Sequence, residues 1–326
     1  MAILEVRNLS VNYLTDGDTA LHAVEDVSFS LEQGRSLGLV GESGCGKTTA
    51  MLGVLRLLPA EGRIVSGEVR YEGADDRLPV DLLRLSEREM RKYRWSRMSI
   101  VFQGAMNALN PVRKVGDQIA EPIMLHGAAT DKRAASKRVD ELLEMVGITP
   151  EMARQYPHQY SGGMRQRAMI AMALACSPDI LIADEPTTAL DVMIQAQILD
   201  LLQNLQQELE LSIILVTHDL GVVAEICDDV LVMYGGKTAE YASVDIIYNE
   251  PLHPYTQRLL QAFPDVDQPA STLASIPGHP PPLDALPPGC RFEPRCHRKS
   301  NICAVESPPL LAVKPGHYVA CHQVGS

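Results

Sequence analysis

The chain has 326 residues, 46% of them hydrophobic, and a formal net charge of −12. That hydrophobic share allows a sizeable core in one large domain or two smaller ones. The acidic balance lacks the basic footprint of a general nucleic-acid binder, the opening Met1-Ala2-Ile3-Leu4-Glu5-Val6-Arg7 lacks the basic start and apolar stretch of a secretory leader, and no apolar run reaches the about 18 residues of a membrane-crossing helix. A cytosolic chain is expected, or one held at a membrane only through partners.

In chain order, residues 3–11 alternate weakly, 24–31 follow as a second strand, and 36–40 form an apolar run that reads as a buried strand. A loop and a helix start come next. The loop, Gly41-Glu42-Ser43-Gly44-Cys45-Gly46-Lys47-Thr48, matches the full G-x-x-x-x-G-K-[ST] pattern, with Thr49 following. Its glycines allow backbone N–H groups to turn inward toward phosphate oxygens, and the helix N-terminus adds to the same anion site. Lys47 is expected to reach the β- and γ-phosphates and Thr48 to place its hydroxyl on Mg²⁺. The bland alternative, a glycine turn that happens to carry a lysine, does not account for the strand before and the helix after.

Residues 64–72 and 99–102 read as further strands, and 102–157 as a mostly helical insertion. Within it, 134–148 is amphipathic, with Val139, Leu142, Leu143 and Val146 on one face and Gly147 as the stop. Two apolar strands, 180–183 and 212–216, flank a helix at about 192–209, the pattern of a largely parallel sheet. Asp184 and Glu185 close the first of these strands. A carboxylate there can hold Mg²⁺ through water, and its neighbour can take a proton from the attacking water, so Asp184 is assigned to the metal and Glu185 to the general base. Adjacent acids can also merely mark a strand leaving the core; the phosphate loop tips the choice.

Composition shifts near Pro251. Pro277, Pro280, Pro281, Pro282, Pro287 and Pro288 crowd the stretch up to residue 288, which reads as an extended connector rather than a packed domain. Beyond it stands Cys290-x5-Cys296-x6-Cys303-x17-Cys321. Clustered cysteines in a cytosolic chain more often bind metal than form disulfides, and a segment this poor in apolar residues needs a staple. Three readings stay open: an iron–sulfur cluster, a structural Zn²⁺ with His297, His317 or His322 nearby, and unligated thiols. The three histidines otherwise read as exposed tail side chains. Cys45, Cys176 and Cys227 read as plain small residues, with Cys45 also open to modification.

Together these residues resemble the ATP-binding subunits of ABC transporters over residues 1–250. Ser161-Gly162-Gly163-Met164-Arg165-Gln166 is similar to that family's signature, with Tyr160 in place of Leu and Met164 in place of Gln. The resemblance implies an α/β fold: a P-loop NTPase (RecA-like) core, an N-terminal antiparallel β-subdomain, an inserted α-helical subdomain at about 103–160, and a cysteine-containing extension over 251–326. It also implies that Tyr13 stacks on adenine, that Gln103 touches Mg²⁺ and senses the membrane subunits, that Ala189-Leu190-Asp191 meets the opposite subunit, and that His218 contacts the γ-phosphate. Taken singly, Tyr13 reads as packing, Gln103 as a surface amide, His218 as a structural histidine and Asp191 as a helix cap. Ser161, Gly162 and Gly163 at a helix start are a second anion site, which in this family faces nucleotide on a neighbouring subunit.

Pro251-Leu252-His253-Pro254-Tyr255-Thr256 and Cys290-Arg291-Phe292-Glu293-Pro294-Arg295-Cys296 are similar to the tail of oligopeptide and dipeptide importer ATPases, some of which hold a [4Fe-4S] cluster there. The resemblance implies an ATP- and Mg²⁺-dependent motor. Its partners would be a second ATP-binding subunit, favoured as a sister chain, two transmembrane permease subunits and an extracytoplasmic binding protein, with no nucleic acid. The seat would be the cytoplasmic face of the membrane. Relatives of this type that carry nickel or oligosaccharides, and soluble ATPases of the same family, are the alternatives. Residues 103–125, with Ile119, Ile123 and Leu125, read equally as a groove for the membrane subunit or as packing of the helical subdomain.

Overall fold

The computed structural model describes residues 1–14, 20–73, 78–104, 108–188, 190–262 and 276–324. The chain opens with β1 (Ala2–Leu14) and β2 (Ala20–Glu32), an antiparallel pair longer than the sequence predicts. Register shifts in β1 let Leu4, Val6, Leu9 and Val11 all turn inward despite imperfect alternation. β3 (Ser36–Val40) is buried at every residue and leads through the phosphate loop into α1 (Lys47–Val54). β4 (Gly62–Tyr71) returns along β1, and β5 (Val80–Asp81) pairs with β4. The result is an antiparallel four-stranded sheet in the order β2-β1-β4-β5.

After α2 (Glu87–Met90), started by a Ser86/Glu89 capping box, β6 (Met98–Val101) enters the second sheet. The predicted helical insertion follows as α3 (Val115–Leu125) and α4 (Lys132–Met145). Asp131 starts α4 by accepting from the Ala134 N–H at 2.8 Å, two residues before the expected start, and Gly147 at φ 71° ends it as predicted. The chain then runs through α5 (Gly162–Ala173), β7 (Ile180–Asp184), α6 (Val192–Leu209), β8 (Ser212–Thr217), α7 (Leu220–Ile226), β9 (Asp229–Tyr234), β10 (Lys237–Ser243), α8 (Val244–Asn249), α9 (Pro254–Gln261), α10 (Asn301–Val305), β11 (Leu311–Lys314) and β12 (His317–Val319).

The second sheet has eight strands in the order β11-β12-β10-β9-β3-β8-β7-β6. Pairings among β9, β3, β8, β7 and β6 are parallel, and those from β9 outward to β11 are antiparallel. The parallel strands are covered on both faces, which is why they read as continuous apolar runs. In β7, Leu181 and Ala183 join a core with the helices, while Ile180 and Ile182 join a core with the antiparallel sheet.

The tail corrects the sequence reading. The segment after Pro251 is not only an extended connector: α9 forms at once and buries His253, Tyr255, Thr256 and Leu259. β12 hydrogen-bonds to β10, so the tail completes an edge of the main sheet. Glu240 on β10 anchors it. That carboxylate, fully buried, accepts from the Leu252 N–H at 2.8 Å and the His253 N–H at 3.0 Å, and pairs with His317 Nε2 at 2.7 Å. His317 is thus a buried partner, not an exposed tail histidine, whereas His297 is exposed and His322 half-buried.

Candidate functional site

The phosphate loop, residues 41–48, leaves the C-terminal end of β3, where a parallel sheet of this kind places its ligands. Two of its glycines are required by geometry. A Cβ on Gly41 (φ 149°) would stand 2.2 Å from the Met233 carbonyl oxygen, and one on Gly46 (φ 99°) would stand 2.4 Å from that of Ala23. Lys47 is buried, and its ammonium donates to the carbonyls of Gly41 at 2.6 Å and Glu42 at 3.2 Å, inside the loop. Cys45 is 1% exposed, and burial pushes its thiol up despite the nearby Lys47, both of which disfavour the modification reading. Tyr13 stands beside the loop, its hydroxyl 3.3 Å from Thr49 Oγ1.

Facing the loop is the end of β7. Thr48 Oγ1 donates to Asp184 Oδ1 at 3.2 Å, bringing together two of the three residues assigned to Mg²⁺. Asp184 is almost wholly buried; burial raises its carboxyl above the usual carboxylate range, although the Thr48 hydrogen bond opposes this. Glu185 has φ 46°, a backbone conformation that a non-glycine residue adopts only when its surroundings impose it. Here the Glu185 N–H is fixed to the Val216 carbonyl at 2.8 Å. Its carboxylate receives Gln103 Nε2 at 2.7 Å and Thr188 Oγ1 at 2.9 Å, with His218 Nδ1 3.4 Å away. Gln103, Asp184, Glu185, His218 and the phosphate loop are therefore one site. Thr188 is not singled out by the sequence reading; its position in Pro186-Thr187-Thr188, directly after Asp184 and Glu185, is the available signal.

Ser161 starts α5, its hydroxyl accepting from the Met164 N–H at 3.2 Å. Gly163 lies against α6: a Cβ there would meet Ile194 at 2.8 Å. Tyr160 fills the apolar place that Leu holds in the family signature. It is buried and donates to the Met152 carbonyl at 2.8 Å, and burial pushes its hydroxyl up to about 12. Asp191 caps α6 by accepting from the Ile194 N–H at 2.9 Å, while Ala189 lies outside the described residues.

The 103–125 segment divides between its two readings; residues 105–107 lie outside the described residues. Ile119 and Ile123 are fully buried core. Leu125, 78% exposed, lines a groove of about 1230 Å³ with Ala120 and Met124, rimmed by Arg113, Lys132 and Arg154.

All seven cysteines are free. The four tail thiols lie within one another's field, and Cys290 is pushed up to about 11, chiefly by burial. The sulfurs of Cys296 and Cys321 each accept from the backbone N–H two residues on, at 3.4 Å. Among the described residues, however, no three His, Cys, Asp or Glu side chains form a group that could hold a metal ion. The [4Fe-4S] or zinc centre expected on Cys290, Cys296, Cys303 and Cys321 therefore has no support from side-chain geometry. The sulfurs are partnered by backbone N–H groups and, at Cys303, by the Ser300 hydroxyl at 3.5 Å.

The sequence pattern of the ABC transporter family matches residues 24–188, and that of the oligopeptide/dipeptide transporter C-terminal region matches residues 239–303. The chain is 46% identical to the oligopeptide transport ATP-binding protein OppD of Salmonella typhimurium, over 98% of this chain and 93% of that protein. It is 46% identical to the dipeptide transport ATP-binding protein DppD of Bacillus subtilis, over 98% and 94%. Among solved structures it is similar to a dimeric ATP-binding cassette in a post-hydrolysis state bound to ADP and Pi, with TM-score 0.64 and 27% identity over 74% of this chain and 98% of that one. It is also similar to cbiO1 of Clostridium perfringens, part of an ABC transporter complex, with TM-score 0.64 and 30% identity over 76% and 91%.

Proposed function

The chain belongs to the ABC transporter family of ATP-binding proteins, and on that premise we propose that it is the ATP-hydrolysing motor of a peptide importer. The match of its tail to the oligopeptide/dipeptide C-terminal region favours peptides over nickel or oligosaccharides as cargo. The observation that carries the catalytic reading is Glu185, held in a left-handed backbone with Gln103, Thr188 and His218 around its carboxylate, next to the Thr48–Asp184 contact.

The loop N–H groups and Lys47 bind the phosphates, and Tyr13 stacks on the adenine. Thr48, Asp184 and Gln103 are the oxygen donors that would hold Mg²⁺, a donor set suited to a hard cation; when bound, that ion neutralises phosphate charge. Glu185 takes a proton from a water, whose oxygen forms a bond to the γ-phosphorus as the bond to the bridging oxygen of ADP breaks. His218 orients the γ-phosphate. Ser161, Gly162 and Gly163 serve the nucleotide of a second ATP-binding subunit, a sister chain, so hydrolysis needs two chains closed over it. The ATP-binding domain is taken as residues 1–250 and the extension as 251–326.

The groove beside α3 and α4 receives a permease subunit, which holds the motor at the cytoplasmic face, with an extracytoplasmic binding protein delivering cargo. Among the described residues no helix is long and apolar enough to cross a membrane. The four tail cysteines would hold a [4Fe-4S] cluster or a zinc ion only after their sulfurs close on a common centre; the N–H groups already aimed at Cys296 and Cys321 support that reading. Iron, sulfide and zinc assays on anaerobically purified protein test it, and a colourless, metal-free protein leaves four plain thiols.

The motor reading is tested by Mg²⁺-dependent ATP hydrolysis by the chain assembled with its partners, with Lys47→Ala as control. Removing that buried ammonium should weaken ATP binding by about tenfold or more. Unchanged affinity would remove the loop from nucleotide binding.

A further inference from the structure

The C-terminal extension reaches the phosphate loop and holds its second residue, Glu42. The Glu42 N–H donates to Tyr255 Oη at 2.9 Å. Arg295 grips the Glu42 carboxylate with both ends of its guanidinium, Nη1 to Oε2 at 2.6 Å and Nη2 to Oε1 at 3.0 Å. The remaining N–H groups of Arg295 go to the Pro277 carbonyl at 2.8 Å, the Ile276 carbonyl at 3.2 Å and Tyr234 Oη at 3.2 Å. Every guanidinium donor is thus used, and the side chain is only 5% exposed. The group also lies over the Tyr234 ring, 5.8 Å from its centre.

A second arm comes from Arg291, which donates to the Gly235 carbonyl and pairs with Glu25. The next residue, Gly236, donates its N–H to the Cys45 carbonyl within the loop at 2.9 Å. Between the two arginines, Phe292 packs on Tyr234 and Tyr255, with ring centres 5.1 and 5.3 Å apart. The stretch from Arg291 to Arg295 therefore holds the phosphate loop directly at Glu42, through Arg295, and indirectly at Cys45, through the Gly235-Gly236 turn that Arg291 grips.

The chemistry of Glu42 explains the need. A carboxylate at the mouth of a loop that binds polyphosphate repels its own ligand unless a cation offsets it. A bidentate guanidinium does so and also fixes the plane of the carboxylate. A loop ordered before binding loses less entropy when the ligand arrives.

We propose that Arg295, aided by Tyr255, is a positioning residue for nucleotide binding: the extension neutralises Glu42 and orders the phosphate loop, and so sets the chain's affinity for nucleotide. The proposal rests on the reading of residues 41–48 as the nucleotide site. It is tested by titrating the full chain with a fluorescent ATP analogue, alongside thermal melting without nucleotide. Arg295→Ala should weaken binding about tenfold, the scale of one charge-assisted pair. Adding Glu42→Gln to that variant should restore most of the loss, because the stranded carboxylate is gone. Tyr255→Phe, which keeps the ring packing, should cost about threefold through the lost acceptor. If Arg295→Ala proves too unstable to titrate, Tyr255→Phe and Arg295→Lys, which keeps the charge and loses the fork, carry the test with intermediate losses. Arg295→Ala with a lowered melting temperature but unchanged affinity, and no rescue by Glu42→Gln, would make Arg295 a mere anchor of the tail and overturn the proposal. An unsubstituted chain that binds no nucleotide would instead overturn the nucleotide reading itself.

Discussion

Gln103 Nε2 donates to Glu185 Oε2 at 2.7 Å, joining the first turn after β6 to the carboxylate at the end of β7. The same glutamine stands where the chain leaves the sheet for the helical insertion.

Glu185→Gln keeps the shape and the donors around it but cannot take a proton. ATP affinity should stay within about twofold, and kcat should fall about 10²- to 10⁴-fold, the range of a lost general base. Single-turnover hydrolysis with bound ATP measures this; near-normal turnover would remove Glu185 from the base role.

Asp184 carries a pH-dependent cost. Burial holds its pKa above the unfolded value, so its contribution to stability is most favourable below about pH 3.9 and is lost as pH rises through the folded value. At pH 7 the metal-free chain therefore buries a charge that opposes folding. Asp184→Asn should raise the melting temperature of the metal-free protein at pH 7, with a gain that shrinks as pH falls through the folded value toward the unfolded one, while Mg²⁺-dependent hydrolysis is lost. Melting scans from neutral to acid pH decide; a lower melting temperature at pH 7 would contradict the sign.

Asp191 has a structural role within its own chain, as the cap of α6. Asp191→Ala should cost about 1 kcal/mol by denaturant unfolding. Asp191→Asn, which retains a capping acceptor, should recover most of it. Equal destabilisation by both would show that the cap is not what the carboxylate supplies.

Glu240 binds three donors with no exposure to solvent. Glu240→Ala leaves the Leu252 and His253 N–H groups and the His317 ring without their acceptor and should cost about 3 kcal/mol or more. Limited proteolysis should then release the tail before the core is cut; an unchanged cleavage pattern would count against Glu240 as the anchor.

The strand–loop–helix at residues 41–48, the acidic end of β7 and the helix start at Ser161 were legible because each is a contiguous run. Helix α6 appears over the residues expected between the two apolar strands, and Gly147 ends α4 because a left-handed residue closes that turn. The tail was not legible for the opposite reason. Proline counting describes chain stiffness and is blind to Tyr255, whose hydroxyl accepts from the Glu42 N–H 213 positions away. His317 looked solvent-exposed because its partner, Glu240, lies 77 positions earlier and on a different strand. In the string from Cys290 to Cys296, the cysteines drew attention to metal chemistry, while Arg291 and Arg295 make the contacts that reach the site.

The order of synthesis gives the clamp on Glu42 a further meaning. Arg295 leaves the ribosome 253 residues after Glu42, a delay of roughly 10–50 s at about 5–20 residues per second. Throughout that interval a nascent chain holds the entire phosphate-loop sequence without the residues that order it. On that proposal, translation products interrupted before Arg295 would bind nucleotide more weakly than finished copies and compete less well for the nucleotide pool.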